Sequence, residues 1–313
     1  MLRTTTAAVA LFAYSAPAIA QEVNYLSFGT TWTQLSVESE EFSSTKFEGD
    51  LEYSYDQFLF GLEVHSNRLD LMGEGTLTTF KGFAGYAPVP EALIGAGFTH
   101  VTQGGDFSSE DVNGFEILAQ YQTGMFGGSV VYAQPDNDDD DFSVTSYYLQ
   151  AEAMPGLTFG AIFDDTSADY DGTPYVLSVD YAQGPIFGRA FYHGVTDYDG
   201  SYYGVSGAYE VMPQLSLKAA IANLDEFIVF DANAYSVGAA YEISEGIFAE
   251  ASFGQLMGDG PDIDVISLSL TYAIGDQTRF HRSMQSAASA DRTISGLNVF
   301  LPDFGFSGTG YGL

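Results

Sequence analysis

The sequence contains no cysteine. An exported chain of this kind has no disulfide framework, and thiol-based nucleophilic chemistry is excluded. Basic residues are scarce: 9 Lys plus Arg stand against 42 Asp plus Glu, a formal net charge of −33. Such a chain repels nucleic acid and anionic membrane surfaces, so nucleic acid is not a partner. Long hydrophobic runs are also missing, and nothing approaches the roughly 18–20 apolar residues of a membrane-spanning helix. Charged residues nevertheless make up only 16% of the chain, while aromatics reach 15%. A disordered acidic chain would be poor in aromatics, so this one folds. Its abundance of Tyr, Phe and Gly with little Lys points to β-structure.

What is present begins with "MLRTTTAAVALFAYSAPAIAQE". Arg3 precedes an apolar stretch from Ala7 to Tyr14, and Ala18-Ile19-Ala20 follows. This is the pattern of a secretory signal peptide over residues 1–20, with cleavage expected after Ala20.

Further on, "YVLSVDYAQGPIFGRAFYHGV" (175–195) holds two alternating runs hinged on Gly184-Pro185. Tyr175, Leu177, Val179 and Tyr181 share one face, and Asp180, Arg189 and His193 lie on the other. Alternation with period two means β-strands. Read this way, the chain holds sixteen strands of roughly 9–12 residues. They lie near 23–35, 45–55, 58–66, 76–86, 91–102, 113–122, 125–133, 142–153, 156–164, 174–183, 186–195, 201–211, 214–224, 233–242, 246–255 and 264–274.

The connections alternate in length. One set is tight and carries Gly or Pro, as in "AMPG", "QGP" and "ISEG". The other is longer and acidic, as in "SVESEEFSS", "QPDNDDDD" and "DTSADYDGTP". In an antiparallel meander alternate turns fall at opposite ends, so one end is short and nearly neutral and the other long and negative. Tyr55, Tyr86, Tyr121, Tyr181, Tyr209, Tyr241 and Tyr272 recur on the apolar face near the tight turns. A row of Tyr at one height is expected of an aromatic girdle at a lipid–water boundary.

Eight strands already close a barrel that side chains only just fill, and sixteen leave a wide interior. An open sheet of that size would need helices to cover its apolar face, and the sequence offers none. The consistent arrangement is an all-β fold, a transmembrane up-and-down antiparallel barrel of about sixteen strands over residues 21–275. Closure pairs every backbone group, as a bilayer requires. Phe58, Phe60, Leu62 and Val64, and likewise Leu215, Leu217, Ala219 and Ile221, then face lipid. Residues 276–313 form a C-terminal extension that contains Arg279, Arg282 and Arg292. It reads as a periplasmic extension, with folding into the lumen as a plug the other reading.

The export signal, the sixteen strands, the tight turns with acidic outer loops and the Tyr row together resemble a Gram-negative outer-membrane general porin of the alphaproteobacterial type. "MPGLTFGAIFDD" (154–165) and "QGPIFGRAFYHGV" (183–195) are the nearest local features. The resemblance implies an outer-membrane location, passive diffusion of small hydrophilic solutes and ions, and a homotrimer. Two departures stand out: the third long connection is only about ten residues, and 38 residues follow the last strand.

The inward-facing candidates for lining the pore are Lys46, Glu48, Asp50, Glu52, Glu63, Lys81, Glu116, Asp180, Arg189, Lys218, Glu242 and Glu250. Acids outnumber bases, which predicts a preference for cations. Lys46, Lys81, Arg189 and Lys218 are the bases expected within strands. They either set up a field across the lumen or pair with acids on adjacent strands. No cofactor is expected. Asp138, Asp139, Asp140, Asp259 and Asp262 in the outer loops offer hard oxygen ligands suited to Ca²⁺ or Mg²⁺. No G-x-S-x-G elbow or H-E-x-x-H motif occurs, so an enzyme is not expected. A structural or adhesive outer-membrane barrel with a plugged lumen is the alternative.

Overall fold

The computed structural model describes residues 23–38, 40–70, 74–105, 111–136, 143–167, 172–196, 200–225 and 231–275. The signal peptide, the 276–313 extension and Asp138, Asp139 and Asp140 lie outside the described residues. Sixteen strands follow one another along the chain: β1 (Val23–Val37), β2 (Glu40–Tyr55), β3 (Phe58–Asp70), β4 (Glu74–Val89), β5 (Ala92–Gly105), β6 (Asp111–Gln122), β7 (Phe126–Asp136), β8 (Val144–Met154), β9 (Leu157–Thr166), β10 (Pro174–Gln183), β11 (Ile186–Val195), β12 (Ser201–Met212), β13 (Leu215–Asp225), β14 (Ala232–Ser244), β15 (Ile247–Gly258) and β16 (Ile263–Gly275). Each pairs antiparallel with its neighbours in sequence, and β1 pairs with β16, from Tyr25↔Gly275 to Val37↔Ile263. The sheet is thus a closed up-and-down barrel without an edge strand.

The wall is uneven. Strands β1 to β5 run for 13–16 residues, whereas β7 to β11 run for 10–11. Part of the tall side was expected to be loop. Val37 pairs with Glu40 across Glu38, which turns the chain at φ 54°, so β2 starts five residues before its expected beginning. Asp70 pairs with Glu74 in the same way, and this places Arg68 within β3. Arg68 is therefore a fifth strand base beside the four expected, and it lies on the outer face of the barrel with Phe60 and Leu62.

At the other end, six of the seven connections contain two residues and the β6–β7 turn contains three. Two glycines show how these turns work. Gly156 and Gly184 adopt φ +84° and +58°, the left-handed region. A Cβ on Gly156 would meet the Ala182 carbonyl oxygen at 2.2 Å, while one on Gly184 would meet nothing within 4 Å. Gly156→Ala is therefore expected to cost clearly more than the ~1–2 kcal/mol of left-handed strain alone, and Gly184→Ala only that strain. Urea midpoints of the two variants in detergent micelles check the order.

Side chains alternate between the two faces as strands require. The outer face is apolar and exposed: Phe58, Phe60, Leu62, Phe115, Ile117, Leu177, Val205, Leu217, Ile221, Leu268 and Leu270 all lie on it. The Tyr row forms next to the tight turns, with Tyr55, Tyr86, Tyr121, Tyr209 and Tyr241 exposed. A second aromatic band lies toward the other end. It includes Trp32, Phe98, Phe115, Tyr147, Phe163, Tyr192, Tyr203 and Tyr235, and the rings of Tyr192 and Tyr203 stack with centroids 6.2 Å apart. On β12 and β14 the two bands are six residues apart, about 20 Å along the strand. Two aromatic girdles with an apolar belt between them are the outer surface of a barrel seated in a bilayer.

The inner face is not uniformly small and polar. Near the long-connection end, Leu35, Phe191, Tyr202, Leu224, Leu256, Ile263 and Val265 form one buried cluster with Ala222, Ala232 and Ala234, each 5% exposed or less. Inward Ala keeps this wall shallow, which lets the larger side chains close over it. Water therefore has access to the inner wall mainly away from this cluster.

Candidate functional site: the charged inner wall

Alternation places all twelve charged candidates on the inner face, opposite the exposed aromatics. They are not spread evenly. Lys46, Glu48, Asp50 and Glu52 project from β2, Glu63 from β3, Lys81 from β4 and Glu116 from β6. Most of the charge thus sits on the tall side. Across the barrel, β10–β11 carry Asp180 and Arg189, and β13–β15 carry Lys218, Glu242 and Glu250.

Of the two expectations for the bases, pairing accounts for most of them. Lys46 bonds Glu48 two residues along its own strand. Arg189 Nε donates to Asp180 Oδ1, its direct partner in register. Lys218 Nζ donates to Glu250 Oε2 at 2.5 Å, reaching past β14 over Gly238, which has no side chain to obstruct it. Lys81 stands opposite Glu63 in register.

Two acids prove to have local roles. Glu52 is 1% exposed and accepts a hydrogen bond from Asn24 Nδ2 at 3.2 Å, so it acts through its field rather than by contact. Glu242 Oε1 accepts from the backbone N–H of Gly246 at 3.3 Å and supports a tight turn at the rim. Glu152 does the same for Gly156 at 3.3 Å, a role the alternation of residue types does not reveal.

The remaining acids have a histidine among them. His65 shares the inner face of β3 with Glu63, and Asp50 is Glu63's partner in register on β2. His65 Nε2 lies 3.8 Å from Asp50 Oδ1 and 4.0 Å from Glu63 Oε2. Sequence reasoning puts His65 on this face but does not group it with the acids. The usable signal is Glu-x-His at 63–65, two side chains on one strand face.

Among the outer acids, Asp259 and Asp262 lie exposed between β15 and β16. The Asp259 N–H donates to the Asp231 carbonyl at 3.0 Å. Among the described residues they are not joined by a third ligand side chain, and the one trio of metal-binding type is Asp50, Glu63 and His65.

No family model and no curated protein sequence matches the chain. Solved structures do. OccK5 (OpdH) of Pseudomonas aeruginosa superimposes with a TM-score of 0.57 at 12% identity, over 81% of this chain and 98% of that one. OpdQ of the same organism gives 0.54 at 10% identity, over 82% and 98%. A triple mutant of the Rhodopseudomonas blastica porin gives 0.53 at 13% identity, over 80% of this chain and all of that one. At such identities the likeness is one of fold, and the fold is the porin barrel.

Proposed function

We propose that the chain is an outer-membrane porin: a water-filled channel for passive diffusion of small hydrophilic solutes and ions, with a preference for cations. The observation that carries this reading is the closed sixteen-stranded barrel with an apolar, aromatic-banded outside and a charged inside. Barrels of 16–18 strands leave an aqueous passage that side chains do not fill. Acids outnumber bases eight to four among the inner-face candidates, and this excess draws cations. Transport by diffusion needs no catalytic group, and the protein is accordingly not an enzyme. Export on residues 1–20 with cleavage after Ala20, insertion into outer-membrane lipid and assembly as a homotrimer complete the proposal.

Planar-bilayer recording under a KCl gradient tests it. Stepwise conductance with a reversal potential of the sign for K⁺ is expected. A protein that inserts and stays silent would instead be a structural barrel with a plugged lumen.

A further inference from the structure

We infer that Asp50, Glu63 and His65 form an exchangeable binding site for a first-row divalent transition cation, of the Zn²⁺ or Ni²⁺ class, on the channel wall. This rests on the channel reading and adds a ligand to it. One ligand atom from each residue, two carboxylate oxygens and one imidazole nitrogen, lies within 4.8 Å of the other two. A tetrahedral centre with bonds near 2.1 Å needs ligand atoms about 3.4 Å apart. The observed 3.8 and 4.0 Å edges close to that by small side-chain rotations.

The strand pairing makes the trio. Asp50 and Glu63 are direct cross-strand partners, and His65 stands two residues beyond Glu63 on the same face, diagonal to Asp50. Ser27 Oγ donates to Asp50 Oδ2 at 3.0 Å. This fixes the carboxylate so that Oδ1 is the oxygen nearer the imidazole, the positioning that metal-bound carboxylates receive from their own partners. Glu63 and His65 are 27% and 23% exposed and so meet an ion from the lumen, while Asp50 is 11% exposed with its Oδ1 buried behind them.

The donor set selects the ion. Imidazole favours Zn²⁺, Ni²⁺ and Cu²⁺ over Mg²⁺ and Ca²⁺, which prefer oxygen alone. Three protein ligands leave the other positions to water, so the ion exchanges rather than staying as a structural centre. Other charges face the site. Glu48, opposite His65, adds negative charge but is bonded by Lys46. Lys81, opposite Glu63, weakens the attraction. A bound dication reverses the sign of this stretch of wall, because an ion is the largest local charge wherever it binds. Passage of monovalent cations then falls.

Two measurements on the full mature chain test the site. In planar bilayers, micromolar ZnCl₂ is expected to lower K⁺ conductance, and equal MgCl₂ to leave it unchanged. His65→Gln and Asp50→Asn are each expected to raise the half-effect concentration of Zn²⁺ by about tenfold or more. Equilibrium dialysis of ZnCl₂ against the detergent-solubilised barrel reads binding without any channel. One high-affinity Zn²⁺ per chain is expected in the wild type and none in His65→Gln. Heat-modifiable migration on gels establishes that each variant is folded, and Glu63→Gln replaces one that is not. Unchanged Zn²⁺ binding in folded variants would overturn the site and leave the trio as an ion-pair network. A silent bilayer with normal dialysis would instead refute the channel and keep the site.

Discussion

Leu177→Arg is expected to lower the unfolding free energy of the barrel in lipid vesicles by about 2–4 kcal/mol, the cost of a cation on the lipid face at mid-membrane. Leu177 lies on β10 between Tyr181 near the tight turn and Tyr175 toward the other rim, and 45% of its surface is exposed on the outer face. A guanidinium there can reach neither girdle without dragging its strand. Ser178→Arg is the matched control. Ser178 is one residue along and points inward, beside Asp180 and opposite Gly160 in register. Lumen substitutions change selectivity more than stability, so a loss under about 1 kcal/mol is expected. Urea unfolding followed by tryptophan fluorescence measures both, because Trp32 sits in the aromatic band and reports insertion. Equal losses would mean that the outer face of β10 does not meet lipid, and the whole inside–outside assignment would then be wrong.

That assignment was the part of the structure most open to reading from residue types. The boundaries of β10 and β11 coincide with those expected, because Gly184-Pro185 leaves the chain one place to turn and apolar alternation fills both sides of it. The start of β2 was missed for a physical reason. Glu40 to Ser44 pair with β1 above the apolar belt, and Phe42 is the one apolar residue among them, facing Leu35 in register, so a single apolar position gives no period-two signal there. The Tyr girdle was visible because one residue type recurs at one offset from each tight turn. The second band mixes Trp32, Phe163 and Tyr203, so it becomes a band only once register has aligned the strands. The inner apolar cluster around Leu35 and Val265 was hidden similarly. Near that rim β16 reads Ile263-Asp264-Val265-Ile266, with apolar side chains on both faces, and alternation cannot say which face is covered.

The charged wall divides along the same line. Which face each charge occupies follows from alternation alone, but its partner follows from register. Lys218 meets Glu250 across an intervening strand, 32 residues away in sequence. Asp50 meets His65 only because β2 and β3 pair as they do. No spacing rule in one strand encodes either contact.

Register also makes the selectivity of the channel quantitative. Neutralising Asp50, Glu63 and Glu116 together is expected to reduce the K⁺ over Cl⁻ permeability ratio by roughly sixtyfold in dilute salt. A charge about 10 Å from the ion path in water changes the energy of a passing ion by about 0.4 kcal/mol, roughly twofold in local concentration, and with opposite sign for K⁺ and Cl⁻, so their ratio changes roughly fourfold. Three such charges, on β2, β3 and β6, multiply to the expected figure. Near 0.1 M salt the Debye length is about 10 Å, and the effect should shrink accordingly. Lys218→Gln provides the opposite sign: it releases Glu250 from its ion pair and should raise the ratio by about fourfold. Its cost in stability should stay below about 1 kcal/mol, because the pair is partly exposed. Reversal potentials at two salt concentrations measure both variants. A constriction elsewhere that sets selectivity would leave the ratio unmoved by the triple variant. A field from the wall predicts opposite shifts for the two variants, both fading as salt rises.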